Sequence, residues 1–170
     1  MPAVGSIEVY EIQCTFNVPL EFAYRWCTDY TSEDGTLSEE GNSRQILRRT
    51  ARKVIYEDLY PTPNGWMWSR QTVTLHPPNR WTAVADGNYR SWKLTYTLRS
   101  LGKDRTELTF RGLRRPQHMS RKNPSHRTME GELHRMWRNY GIAMEKDYRD
   151  SRRRSRSMNG PRTGVRKGKP

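Results

Sequence analysis

An α+β fold, an antiparallel sheet closed by one long C-terminal helix, is predicted by three observations. Near the N-terminus, apolar residues fall at every second position; the middle of the chain repeats short alternating runs separated by Pro, Gly and Asn; and Ser125 to Arg154 carries an apolar stripe at three- and four-residue steps. The order strand, short helix, several antiparallel strands, long closing helix narrows the fold more than any single motif narrows the chemistry.

Tyr10, Ile12, Cys14, Phe16 and Val18 alternate with Glu11, Gln13, Thr15 and Asn17, which is the period of a half-buried strand. Pro19 suits the first turn of a helix, and Leu20, Phe22, Ala23, Trp26 and Cys27 recur at helical spacing up to about Asp29. Thr28 to Gly41 holds five acids and no base, and reads as an acidic loop with one further helical turn. This acidic lip could pair transiently with a basic tail or stay solvated. From Arg44 to Pro116 strands and turns follow one another. Gln45 to Tyr60 is one bent strand or two; Trp66 to His76, Arg80 to Asp86, Asn88 to Leu101 and Thr106 to Leu113 follow, giving six or seven antiparallel strands. Arg114 to Pro124 is a basic linker, Ser125 an N-cap, and Met129, Leu133, Met136, Trp137, Tyr140, Met144 and Tyr148 form the buried stripe of the closing helix.

Only 33% of the 170 residues are apolar, but six Trp and nine Tyr supply large rigid surfaces for a mixed, partly polar interior. The net charge of +13 is uneven: Ser151 to Pro170 carries eight Lys or Arg and no acid, leaving +5 for residues 1–150. The expected organisation is therefore a domain over 1–150 and a basic, disordered tail over 151–170. Two cysteines and no apolar stretch of signal-peptide or membrane-span length imply free thiols and a cytoplasmic setting.

The junction Phe16-Asn17-Val18-Pro19, Ala23-Tyr24 and Asp29-Tyr30 around the short helix, Trp81 before the Gly87 turn, Tyr96-Thr97-Leu98, Thr106-Glu107-Leu108 and the closing helix give the chain its likeness to known proteins. Over residues 7–150 it resembles the START-like, Bet v 1-like (SRPBCC) superfamily, of polyketide cyclase/dehydrase or lipid-transport type. The resemblance implies a helix-grip: a curved sheet of six or seven strands wrapped around the last helix, with an apolar cavity between them. Tyr56, Trp66, Trp68, Trp92 and Tyr96 from the sheet, and Met129, Leu133, Met136, Trp137 and Tyr140 from the helix, are the candidate walls, each of which ordinary core packing would also explain.

No phosphate-binding Gly-rich loop, paired-Cys metal spacing or nucleophile elbow is present. His126, Glu130 and His134 stand at helical steps that a metal could use, though a solvated flank beside the apolar stripe accounts for them as well. Glu57, Asp58, His76, Asp86 and His118 are titratable groups that a cyclase or dehydratase would need inside the cavity, and alternation does not place them there. No catalytic residue, metal or cofactor is assigned. Two functions are carried forward. One is the binding of a lipid, polyketide or isoprenoid-like molecule. The other is association with nucleic acid or another anionic surface through Arg152, Arg153, Arg154 and Arg156, helped by the Arg114–Lys122 linker. Cyclase-type catalysis differs from the first only by a titratable group in the pocket. Oligomeric state stays open.

Overall fold

The computed structural model describes residues 6–37, 41–62, 65–88, 90–116 and 125–158. Strand β1 (Glu8–Phe16) is followed by helix α1 (Leu20–Thr28), a 3₁₀ turn (Ser32–Leu37), six further strands and helix α2 (His126–Met158). The strands are β2 (Ser43–Arg49), β3 (Lys53–Thr62), β4 (Gly65–His76), β5 (Arg80–Gly87), β6 (Arg90–Gly102) and β7 (Arg105–Pro116). Gln45–Tyr60 is thus two strands, broken where Thr50 closes a tight turn onto Lys53.

All seven strands form one antiparallel sheet in the order β1-β7-β6-β5-β4-β3-β2. Six strands run as a meander, and β1 adds to the edge offered by β7, so the first and last strands lie side by side. Side chains alternate across such a sheet. One face therefore carries Tyr10, Ile12 and Phe16 of β1, Val54, Tyr56 and Asp58 of β3, Trp81, Ala83 and Ala85 of β5, Trp92 and Leu98 of β6, and Leu108 and Phe110 of β7, all buried. Register shifts at Ile46/Arg48 in β2 and Ser100/Gly102 in β6 mark local irregularities of the ladder, the usual device for bending strands.

Helix α2 lies along β1 in the same direction. His126 meets the Val9 carbonyl at 2.9 Å and stacks on Tyr10 at 4.3 Å; Glu145, further along, accepts the Asn17 backbone N–H at 2.7 Å and its side-chain amide at 3.0 Å. Between them the helix approaches the sheet so closely that a Cβ on Gly141 would stand 2.9 Å from the Phe16 ring. Ser125 caps the helix as expected, its Oγ accepting the Thr128 N–H at 3.2 Å.

Two expectations need correcting. The tail does not begin at 151: α2 continues through Met158, so Arg152, Arg153 and Arg154 sit on a helix, and 159–170 lie outside the described residues. Ser151 and Ser155 return their hydroxyls to the carbonyls of Tyr148 and Ser151, and Arg152 reaches Asp104 at 4.0 Å, which ties this turn to the β6–β7 hairpin. Arg114 is also not a linker cation. It is 0% exposed on β7, bonded to Glu8 at 3.0 Å, while Tyr10 donates to the same carboxylate at 2.7 Å. Residues 117–124, the rest of that linker, lie outside the described residues.

Candidate functional site

Because α2 is anchored on the β1 side, it stands off from the middle of the sheet, and a cavity of about 530 Å³ opens between the helix, the concave face, α1 and the 3₁₀ turn. Close-packed interiors seldom leave such a space, so its walls must hold themselves apart. They do so with interlocked rings. Trp81 stacks on Tyr96 at 4.8 Å, Trp137 packs edge-on against Tyr96 at 5.8 Å and Tyr140 at 5.5 Å, and Tyr30 lies 5.4 Å from Tyr56. Trp137 Nε1 and the Tyr24 hydroxyl are buried with no hydrogen-bond partner among the described residues, so packing alone holds those two rings.

Most of the expected walls line this space: Tyr56, Trp92, Tyr96, Met129, Leu133, Met136, Trp137 and Tyr140. Trp66 does not. It is 58% exposed on the outer face of β4. Trp68, 37% exposed, borders the cavity from the same outer row, with the Arg70 guanidinium 5.9 Å over its ring and Arg70 in turn bound to Glu57 at 2.6 Å. The reason is register: in a period of two, Met67, Ser69 and Gln71 take the inner face, and a Trp-x-Trp run points outward as a set.

The sequence reading missed the polar end of the cavity. Val54, Tyr56, Asp58 and Tyr60 are the inner row of β3, and Asp58 is 0% exposed. A carboxylate in that row requires a cation, and β2 supplies Arg44. Arg44 binds Asp58 through two parallel bonds, Nε at 2.8 Å and Nη2 at 2.9 Å, and Asp34 through Nη1 at 3.1 Å, while its guanidinium lies 4.2 Å over the Tyr56 ring. Tyr60 donates to Asp58 at 3.0 Å. The acidic lip therefore has a partner: Asp34 joins Arg44, held in place by the Thr31 N–H and hydroxyl at 2.9 and 2.8 Å. Glu39 and Glu40 lie outside the described residues.

Tyr30 enters this end from a left-handed backbone (φ 43°), a conformation that a bulky residue adopts at a cost of roughly 1–2 kcal/mol. Arg49 compensates by donating to the carbonyls of both Asp29 and Tyr30, the second at 2.6 Å. Desolvation, and then the neighbouring Asp34 charge, push the Asp29 carboxyl up to about 6. Burial raises Tyr30, Tyr56, Tyr60 and Tyr96, so these phenols stay protonated at neutral pH and can donate.

Burial also pushes the Cys14 thiol up to about 12 and Cys27 higher still, and both are free. At pH 8, disulfide-exchange labelling of the folded protein should run at least about a hundredfold slower than labelling in denaturant, since the thiolate is the reactive form. Rapid native labelling of either would place it at an accessible, activated position instead. Among the described residues no group of three metal-ligating side chains comes together, and His126 is occupied by the Val9 carbonyl and Tyr10. His76 stands exposed at the end of β4, and His118 is outside the described residues.

No family model and no curated protein matches this chain. Solved structures do. The Zhui aromatase/cyclase from Streptomyces sp. R1128 superposes with a TM-score of 0.63 at 11% identity, over 92% of this chain and 100% of that one. Ara h 8.0201 gives 0.64 at 7% identity, over 82% and 98%. A START superfamily protein from Mycobacterium smegmatis gives 0.60 at 12%, over 82% and 95%. At these identities the likeness is one of fold: the chain has the helix-grip architecture of START-like, Bet v 1-like proteins.

Proposed function

We propose that this protein holds an apolar small molecule, of lipid, polyketide or isoprenoid-like character, between its sheet and α2. The observation that carries the reading is the aromatic-walled cavity of about 530 Å³, within the range of small-molecule sites. Apolar rings supply the burial, and the neutral phenols of Tyr96 and Tyr140 supply orienting donors. The acids that reach this space among the described residues are Asp29, Glu33 and Asp34 of the segment after α1 and Asp147 of α2, which accepts the Trp26 indole N–H, and Asp58 is committed to Arg44. Holding a ligand is therefore favoured over turning one over. No helix of the described residues is long and apolar enough to cross a membrane.

Native mass spectrometry of freshly purified protein is the direct test. A stoichiometric apolar passenger, identified after denaturation, is the expected result. A clean apo mass that also stays apo after incubation with a panel of apolar ligands would overturn the reading.

A second reading has one observation in its favour. Arg135, Arg138, Lys146, Arg149 and Arg153 recur at helical spacing along α2 and are exposed, a cationic stripe suited to an anionic polymer or surface. It predicts nucleic-acid affinity that falls steeply with salt and is lost when these side chains are neutralised. Affinity insensitive to either change would remove it.

A further inference from the structure

Three phenols of this chain end on carboxylates: Tyr10 donates to Glu8 at 2.7 Å, Tyr60 to Asp58 at 3.0 Å and Tyr148 to Asp104 at 2.9 Å. Three others do not. The hydroxyls of Tyr56, Tyr96 and Tyr140 have no hydrogen-bond partner among the described residues, and all three side chains line the chamber. They reach it from β3, β6 and α2, and they share one neighbourhood: an anion at Tyr96 would raise Tyr56, and one at Tyr140 would raise Tyr96. Trp137 packs edge-on against both Tyr96 and Tyr140, at 5.8 and 5.5 Å, so those two rings are held by packing rather than by their oxygens. The nearby buried acceptors are taken, since Asp58 and Asp34 bind Arg44. Burial keeps all three phenols protonated, hence neutral donors. A buried hydroxyl without a partner is costly, so three around one space call for acceptor oxygen from outside the protein.

We infer that the chamber takes a neutral molecule with an aromatic body and carbonyl oxygen, the body among the rings of Trp81, Trp92 and Trp137 and the oxygen accepting from Tyr56, Tyr96 and Tyr140. This rests on the container reading and adds the polar chemistry of the cargo. A pure hydrocarbon, whether an isoprenoid or an alkyl chain, would fill the same volume and leave the phenols unpaired. A site that offers donors discriminates against the analogue lacking the acceptor, because its own polar groups are then stranded. Tyr56, Tyr96 and Tyr140 are thus specificity-determining residues, while the tryptophans supply burial.

Two probes of one shape test it: 2-acetylnaphthalene and 2-isopropenylnaphthalene, which differ by a carbonyl oxygen in place of a methylene, measured by equilibrium dialysis against the full-length protein at pH 7.5. A merely apolar chamber favours the alkene, because desolvating a carbonyl costs affinity. Here the ketone should bind at least as tightly. In the Tyr56→Phe/Tyr96→Phe/Tyr140→Phe triple variant the ketone-to-alkene affinity ratio should fall about tenfold or more, with alkene binding kept within about threefold. Thermal stability should hold or rise, since the lost hydroxyls have no protein partner among the described residues; should the triple variant fail to fold, the three single variants, each expected to lower the ratio about threefold, carry the comparison. A ratio that the substitutions leave unchanged overturns carbonyl recognition while leaving the container intact. Failure of both probes to bind folded protein overturns the container and this inference together.

Discussion

Replacing Arg44 by methionine should destabilise the protein by about 3–5 kcal/mol, the cost of stripping the partner from a buried carboxylate. Asp58 is fully buried and its two oxygens face Arg44 Nε and Nη2 at 2.8 and 2.9 Å, so methionine would take away both of these bonds and leave the Tyr60 hydroxyl, at 3.0 Å, donating to a carboxylate without its cation. Chemical denaturation at pH 7.5 measures the loss. The companion Arg44→Met/Asp58→Leu double variant should recover much of it, because an apolar pair of similar volume buries no charge. A single variant within 1 kcal/mol of the parent would show that this pair does not anchor the polar end of the cavity. An unrecovered double variant would instead assign the loss to packing around the Tyr56 ring, over which Arg44 lies.

The second large effect concerns the chamber. Ala85, on the inner face of β5, lies across from Gln71 and Trp92 and lines the cavity. An Ala85→Phe substitution should therefore project a ring into open space. The expected result is a loss of affinity for a neutral apolar probe, 2-(1-naphthyl)ethanol titrated by calorimetry, of at least about tenfold with thermal stability nearly unchanged. In a filled core the same change would cost about 1–3 kcal/mol by overpacking. Stability and affinity thus move independently if the space is a ligand chamber, and a variant that unfolds while the parent binds nothing would mark it as packed interior.

How far the sequence reaches can be seen residue by residue. The Tyr10-Ile12-Cys14-Phe16 alternation and the Met129-to-Tyr148 stripe locate β1 and α2 because each element buries one face, and burial leaves its period in the chain. Ser125 was readable as a cap for the same local reason: its hydroxyl answers an orphan N–H three residues on. Nine of the ten expected wall residues line the chamber, Trp66 being the exception, since large rings on an amphipathic face have few other places to go.

Trp66 falls outside the chamber and Trp68 borders it only from the outer row, because hydrophobicity suggests the interior, whereas pairing register decides which face of β4 is concave. The helical stretch beyond 150 was read as tail because its composition is that of a solvated chain. It is helical in continuity with a packed helix, with Arg152 tied to Asp104. Arg44, Asp58 and Asp34 come from three separate elements, and their meeting depends on β2 and β3 pairing Arg44 with Asp58 and on the 3₁₀ turn folding over them. One mark of that network was present in the chain, an aspartate in the otherwise apolar-aromatic row Val54, Tyr56, Asp58, Tyr60. Sequence periodicity determined the elements and the order that makes a helix-grip, because those are consequences of local burial. Tertiary structure alone decided where the helix stands off from the sheet and which charges close the gap, because curvature, register and ion pairing join residues that no local pattern connects.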